Sequence, residues 1–180
     1  MMTVTRCIRV LVGAILVPTT AMAHPGASID SIAQGALHPL GGVDHLLAML
    51  SVGALAARAG GRSIWAMPAV FLTSMIAGVV AGANELRLPL AEPVIVLSVL
   101  YFGAALLMQH SLPPTTNLVL ISLFALFHGH AHGTELTGNS SHVFYGIGLV
   151  ATTALLHGIG LSMSLLAART HRTCHSLSQC

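Results

Sequence analysis

The sequence predicts an all-α, polytopic transmembrane bundle, and three observations lead there. Charge is nearly absent: of 180 residues, 7% are Asp, Glu, Lys or Arg and 54% are hydrophobic, whereas a soluble domain carries about 25% charged residues. Five apolar segments follow an apolar N-terminus, at roughly 36–57, 64–83, 90–108, 117–133 and 143–168. Eleven histidines complete the picture, several of them embedded in those segments. Lipid offers no partner to exposed backbone groups, so spans must be helices or closed barrels, and continuous apolar runs of this length are helices.

The first 23 residues read as a secretory signal. Arg6 and Arg9 supply a positive start, 10–17 an apolar stretch, and Ala21-Met22-Ala23 an A-x-A cleavage site. The stretch is short against the about 20 residues that a helix needs to cross the hydrocarbon core; an uncleaved first anchor is the alternative reading. Removing residues 1–23 takes away two arginines and no acid, leaving five basic against five acidic residues. The net charge of +2 thus belongs to the signal and implies no nucleic-acid partner. Cys7 would leave with it, and Cys174 and Cys180 lie in the tail, so no disulfide framework is suggested.

Residues 24–168 then form a single polytopic domain, followed by a short tail, 169–180. Loop chemistry separates the segments at Arg58-Ala59-Gly60-Gly61-Arg62, at 84–88, at Ser111-Leu112-Pro113-Pro114 and at Thr137-Gly138-Asn139-Ser140-Ser141. With the mature N-terminus outside, Arg58, Arg62, Arg169 and Arg172 face the cytoplasm and only Arg87 lies outside, as the positive-inside rule requires. That orientation gathers most of the polar residues at the outer end of the bundle.

The first segment contains His38-Pro39-Leu40-Gly41-Gly42-Val43-Asp44-His45. Positions seven apart on a helix differ by about 20° in azimuth, so His38 and His45 are expected on one face. Asp44 can join them or orient an imidazole from behind. Pro39, Gly41 and Gly42 weaken regular helix and could free carbonyls. An aspartate near a helix centre costs ~2.5–3.5 kcal/mol to insert, which argues against an idle one, although simple hydrogen bonding to a neighbouring helix is the bland alternative.

The fourth segment ends Phe127-His128-Gly129-His130-Ala131-His132-Gly133-Thr134-Glu135. His128, His132 and Glu135 follow i, i+4, i+7 and share a helical face. His130 points away if the helix is regular, and turns inward if Gly129 and Gly133 unwind it, as in transporters with broken helices. Imidazole suits nickel, copper, zinc and iron, whereas calcium and magnesium prefer oxygen. The expected metal set is His38, Asp44, His45, Glu92, His128, His130, His132 and Glu135. Glu92 either adds an arm to the site or snorkels at the interface beside Pro93. His157 is either a core histidine bonded to a carbonyl or an inner relay. Met49, Met67, Met75 and Met108 are scattered as core residues are. Gly103, Gly146, Gly148, Gly158 and Gly160 are expected to permit close helix packing.

At these two motifs, His38 to Met49 and Phe127 to Glu135, the sequence resembles the HupE/UreJ family of bacterial nickel permeases. His24-Pro25-Gly26 after the signal is similar as well. The resemblance implies uptake of nickel, or cobalt in some relatives, across the inner membrane for hydrogenase or urease maturation. By it, His38, Asp44 and His45 are permeation ligands, with Glu92, His132 and Glu135 as partners. It also implies six spans after the signal, where this chain shows five. The expected partners are a divalent metal ion and the lipid bilayer, with nickel(II) or cobalt(II) as transported substrate rather than prosthetic group. A homo-oligomer is compatible with these features, and no particular metallochaperone is indicated. No nucleophile–base pair, phosphate loop or nucleic-acid motif is present, so a non-enzyme is expected. A membrane metalloenzyme and a non-transporting metal sensor or donor are the competing readings.

Overall fold

The computed structural model describes residues 32–107, 112–136 and 142–177, without the side chains of His142 and of residues 171–177. The signal segment, Cys7, His24, Met108, His110, the loop at 137–141 and Cys180 lie outside the described residues, as do the side chains of His142, His171, Cys174 and His175. The described residues form six helices and no strand: α1 (Ile32–Gly41), α2 (Val43–Ala59), α3 (Ser63–Ala83), α4 (Ala91–Leu107), α5 (Pro114–Glu135) and α6 (His142–Leu177). The chain is therefore an all-helical membrane protein.

Burial runs opposite to a water-soluble protein. His128, His130, His132, Thr153, His157, Ser98 and Asn117 are buried, while Val96, Leu100, Val119, Leu155 and Leu166 are exposed and Trp65 is 79% exposed. Such a surface fits hydrocarbon, and the interior holds the groups that hydrocarbon rejects. By length and apolar character, Ser63–Ala83 and Val143–Thr170 can each cross a membrane, and α1 with α2 makes a third if that bent pair is one span. The expected five segments all appear as helical units, but α4 has 17 residues and is short for a crossing. α5 has 22 residues, and its three histidines reduce its apolar character. α6 continues to Leu177, past the end of the fifth apolar segment.

The first segment departs from a straight span. It bends by 89° between α1 and α2. Pro39 lies inside α1, and Gly42 adopts φ −111° and ψ 124°, an extended conformation that starts α2 afresh. A proline withholds a helical N–H and its ring crowds the preceding turn, so the break lies where the sequence weakens the helix. α2 stops at Gly60, whose φ of 67° a side chain would resist and whose N–H reaches Ala56 O at 3.0 Å. α5 opens on Pro114 at its first turn, where the missing N–H costs nothing.

Glycines set the spacing between helices. α3 and α5 pack most extensively, through Gly78 and Gly82 on one and Gly129 and Gly133 on the other. A Cβ at Gly78 would strike Leu126 O, at Gly82 His130 O, at Gly129 Met75 O and at Gly133 Val79 O. Each helix thus lays a four-residue pair of glycines against the other's backbone, the close approach that drives association in lipid. α6 does the same twice more: Gly148 meets Ile32 O of α1 while Gly35 meets Tyr145 O, and Gly160 meets Leu50 O of α2 while Gly53 meets His157 O. At Gly103, Gly146 and Gly158, expected to serve packing, an added Cβ would meet nothing within 4 Å, so none of the three marks a close helix contact.

Between these contacts sits a core of Met49, Met67, Phe71, Met75, Phe102, Ile121, Phe124 and Leu149. At the end of α2 farther from the bend, Arg58 Nη1 donates to Ala105 O at 3.0 Å and Leu106 O at 2.7 Å, capping the C-terminus of α4. Replacing Gly129 by alanine should destabilise the purified protein by about 1–3 kcal/mol, through collision with backbone that cannot move aside. Gly103→Ala should instead be neutral or stabilising by up to about 1 kcal/mol, because helix propensity alone changes there. Thermal unfolding of both variants in detergent, read side by side, checks the opposite signs.

Candidate metal centre

The bend between α1 and α2 builds the site. His38 sits in the last turn of α1 and Asp44 and His45 in the first turn of α2. The two imidazoles meet with ring centroids 5.8 Å apart. Their convergence was expected from a shared face of one helix; it arises instead because the chain turns sharply between them. Gly42 at the corner is tightly held, since a Cβ there would come within 2.8 Å of Asp44 Oδ1 and 3.0 Å of His45 Nδ1.

α5 supplies the opposing wall. It remains helical through Glu135, so Gly129 and Gly133 do not unwind it; their role is the approach of α3. His128 and His132, one turn apart, face the same way with centroids 5.2 Å apart. His45 packs against both, at 4.3 Å from His128 and 4.9 Å from His132, and His38 lies 4.6 Å from His132. Four imidazoles thus share one pocket at the end of the bundle where α1, α2 and α5 meet. One ligating nitrogen from each of His38, His45 and His132 falls within a group no wider than 4.8 Å. A metal–nitrogen bond of about 2.0–2.1 Å needs its nitrogens about 3–3.5 Å apart, so modest side-chain rotation would close them around an ion.

His128 Nε2 and His132 Nε2 are buried without a hydrogen-bond partner among the described residues. His45 Nδ1 sits 3.0 Å from Asp44 Oδ1, a charge contact rather than an aligned hydrogen bond. Buried polar atoms are satisfied in the great majority of cases, and each orphan asks for an explanation such as an ion. Asp44 brings negative charge to the edge of the cluster. Glu135 adds more from the end of α5, its Oε2 3.7 Å from His38 Nε2, too far for a hydrogen bond but close enough to attract.

Two members of the expected set stand elsewhere. His130 takes the far face of the regular α5 and its Nε2 lies 2.5 Å from Leu86 O, pinning the connection between α3 and α4. Glu92 is exposed in the first turn of α4 and makes no ion pair among the described residues. Conversely, the cluster has aromatic neighbours that sequence reasoning missed. Tyr145 of α6 lies 5.9 Å from His38, and Phe71 of α3 lies 6.3 Å from His128. Neither stands out by spacing or type; only the glycine contacts that bring α3 and α6 close could have pointed to them.

A family model described as HupE / UreJ protein matches residues 12–179, which includes both histidine motifs and every described helix. The chain belongs to the HupE/UreJ family. Among curated relatives, Protein HupE of Rhizobium leguminosarum bv. viciae is 36% identical over 153 residues, covering 85% of this chain and 80% of that relative. No solved structure matches. The four-histidine pocket is therefore a feature of a HupE/UreJ protein in which α1, α2 and α5 carry the two motifs that define the resemblance.

If the cluster holds a divalent cation, His132→Ala should weaken the binding of nickel, used as the probe ion, by about tenfold or more, the scale seen when groups supporting a metal are removed. His130→Ala should leave that affinity within about twofold and cost about 0.5–1.5 kcal/mol of stability, because it removes the bond that holds Leu86 O. Calorimetric titration with nickel, paired with thermal unfolding, separates the two residues.

Proposed function

We propose that the chain is an inner-membrane permease for divalent nickel, with cobalt as the alternative substrate, taking up metal from the periplasm for hydrogenase or urease maturation. The observation that carries this reading is the cluster of four imidazoles inside an apolar bundle, two of them, His128 and His132, with a buried nitrogen that no group among the described residues satisfies. Such donors suit a borderline divalent cation and discriminate against calcium and magnesium. The acids at the rim, Asp44 and Glu135, would attract the hydrated ion before it exchanges water for imidazole.

Imidazole and carboxylate favour passage over retention. Conduction requires binding firm enough to admit the ion and weak enough to release it, and the described cluster consists of imidazoles without a thiolate. With the arginine-rich end of the bundle cytoplasmic, the pocket opens toward the periplasm. Two positive charges moving inward gain about 4.6 kcal/mol per 100 mV of membrane potential, which is enough to drive accumulation when the metal is bound on arrival.

Cells expressing the chain should accumulate radioactive nickel. Asp44→Asn and His45→Ala should each reduce uptake about tenfold or more, with the protein still present in the membrane fraction. Uptake at the unmodified rate by both variants would remove the permease reading. A metal that survives purification and supports turnover of a substrate would favour an enzyme instead.

A further inference from the structure

His157 lies at the midpoint of the Val143–Thr170 span and is 98% buried, and both of its ring nitrogens lack a hydrogen-bond partner among the described residues. The carbonyl bond expected for a core histidine is not made. Its ring meets Phe71 edge to face, with centroids 4.9 Å apart at 89°. The same phenyl ring also approaches His128, at 6.3 Å. One aromatic ring therefore stands between the outer cluster and an isolated imidazole deeper in the bundle.

The surroundings of His157 are built rather than accidental. Gly53 of α2 lies against its carbonyl, a contact that any side chain at 53 would prevent. One turn before it on α6, Thr153 is completely buried and its hydroxyl faces Met75 Sδ at 4.0 Å. Thr153 and His157 are one turn apart on the buried side of α6. A buried imidazole with two unpaired nitrogens is costly in an apolar interior, and a leucine would pack there without that cost. Its presence calls for an occupant that visits it.

We infer that His157 is a second, inner station for the same divalent cation, receiving it from the outer cluster past Phe71. This rests on the permease reading above. A cation that left four imidazoles directly for hydrocarbon would lose all its ligands at once; an imidazole one phenyl ring away divides that step into two smaller ones. A station that acts after capture sets the velocity of passage, whereas the outer cluster sets capture.

The test compares initial rates of radioactive nickel uptake by cells expressing the full chain with no change, with His157→Leu and with His132→Ala. His157→Leu is expected to lower the maximal velocity about tenfold while the half-saturating nickel concentration stays within twofold, and the purified variant should melt at the same temperature or higher. His132→Ala is expected to raise the half-saturating concentration. His157→Gln, which keeps a polar end, carries the comparison if the leucine variant is lost from the membrane fraction. Velocity within twofold of the unmodified chain in the His157 variant, beside impaired capture in His132→Ala, would overturn the inner station and leave the permease reading standing. A lowered melting temperature with proportionate loss of uptake would make His157 a packing residue and overturn it too. Full uptake by His132→Ala would remove the permease reading, and the inner station with it.

Discussion

Imidazoles drawn into an apolar interior, two of them with a buried nitrogen that no described group satisfies, are the constraint around which this bundle is arranged. Four rings from three helices are linked by contacts with centroids 4.3 to 5.8 Å apart. Each would be better solvated elsewhere, and apolar residues of similar size would pack the same space at lower cost. What the arrangement offers in return is a set of lone pairs already stripped of water and held on separate helices, with carboxylates at the rim. A divalent cation reaching that end of the molecule finds partial charge compensation first and nitrogen ligands second.

Holding such groups together in lipid cannot rely on the hydrophobic effect, because lipid is as apolar as the residues it would displace. Close backbone contact takes its place. The paired glycines of α3 and α5 fix the wall that carries His128 and His132, and they explain why those glycines punctuate the histidine motif without breaking its helix. The glycine contacts of α6 with α1 and α2 hold the bent pair from the other side. Packing and chemistry therefore share the same short stretch of sequence, with 128 and 132 turned to the cluster and 129 and 133 to α3.

Much of this was legible in the residues. Low charge and long apolar runs specify a helical membrane bundle, and histidines at 128 and 132 specify a common face, since both follow from composition and period alone. The turn at Gly42 was legible only as weakness: Pro39, Gly41 and Gly42 mark where a helix can fail, but the 89° angle depends on where α6 allows α1 to lie. The same limit applies to His130, whose partner is a loop carbonyl 44 residues away, and to Phe71 and Tyr145, ordinary core aromatics until tertiary packing places them beside imidazoles. Gly103, Gly146 and Gly158 show the converse, small residues that look like packing sites and make no close contact where a side chain would extend.

The central claim is that imidazoles from α1, α2 and α5 bind one divalent cation together. X-ray absorption at the nickel edge of the purified, nickel-loaded chain addresses it most directly. The account expects three or more imidazole ligands with nitrogen at about 2.0–2.1 Å, and loss of that imidazole signature in a protein lacking both His45 and His132. Nickel surrounded only by water or carboxylate oxygen, or a spectrum unchanged by removing those two histidines, would contradict it.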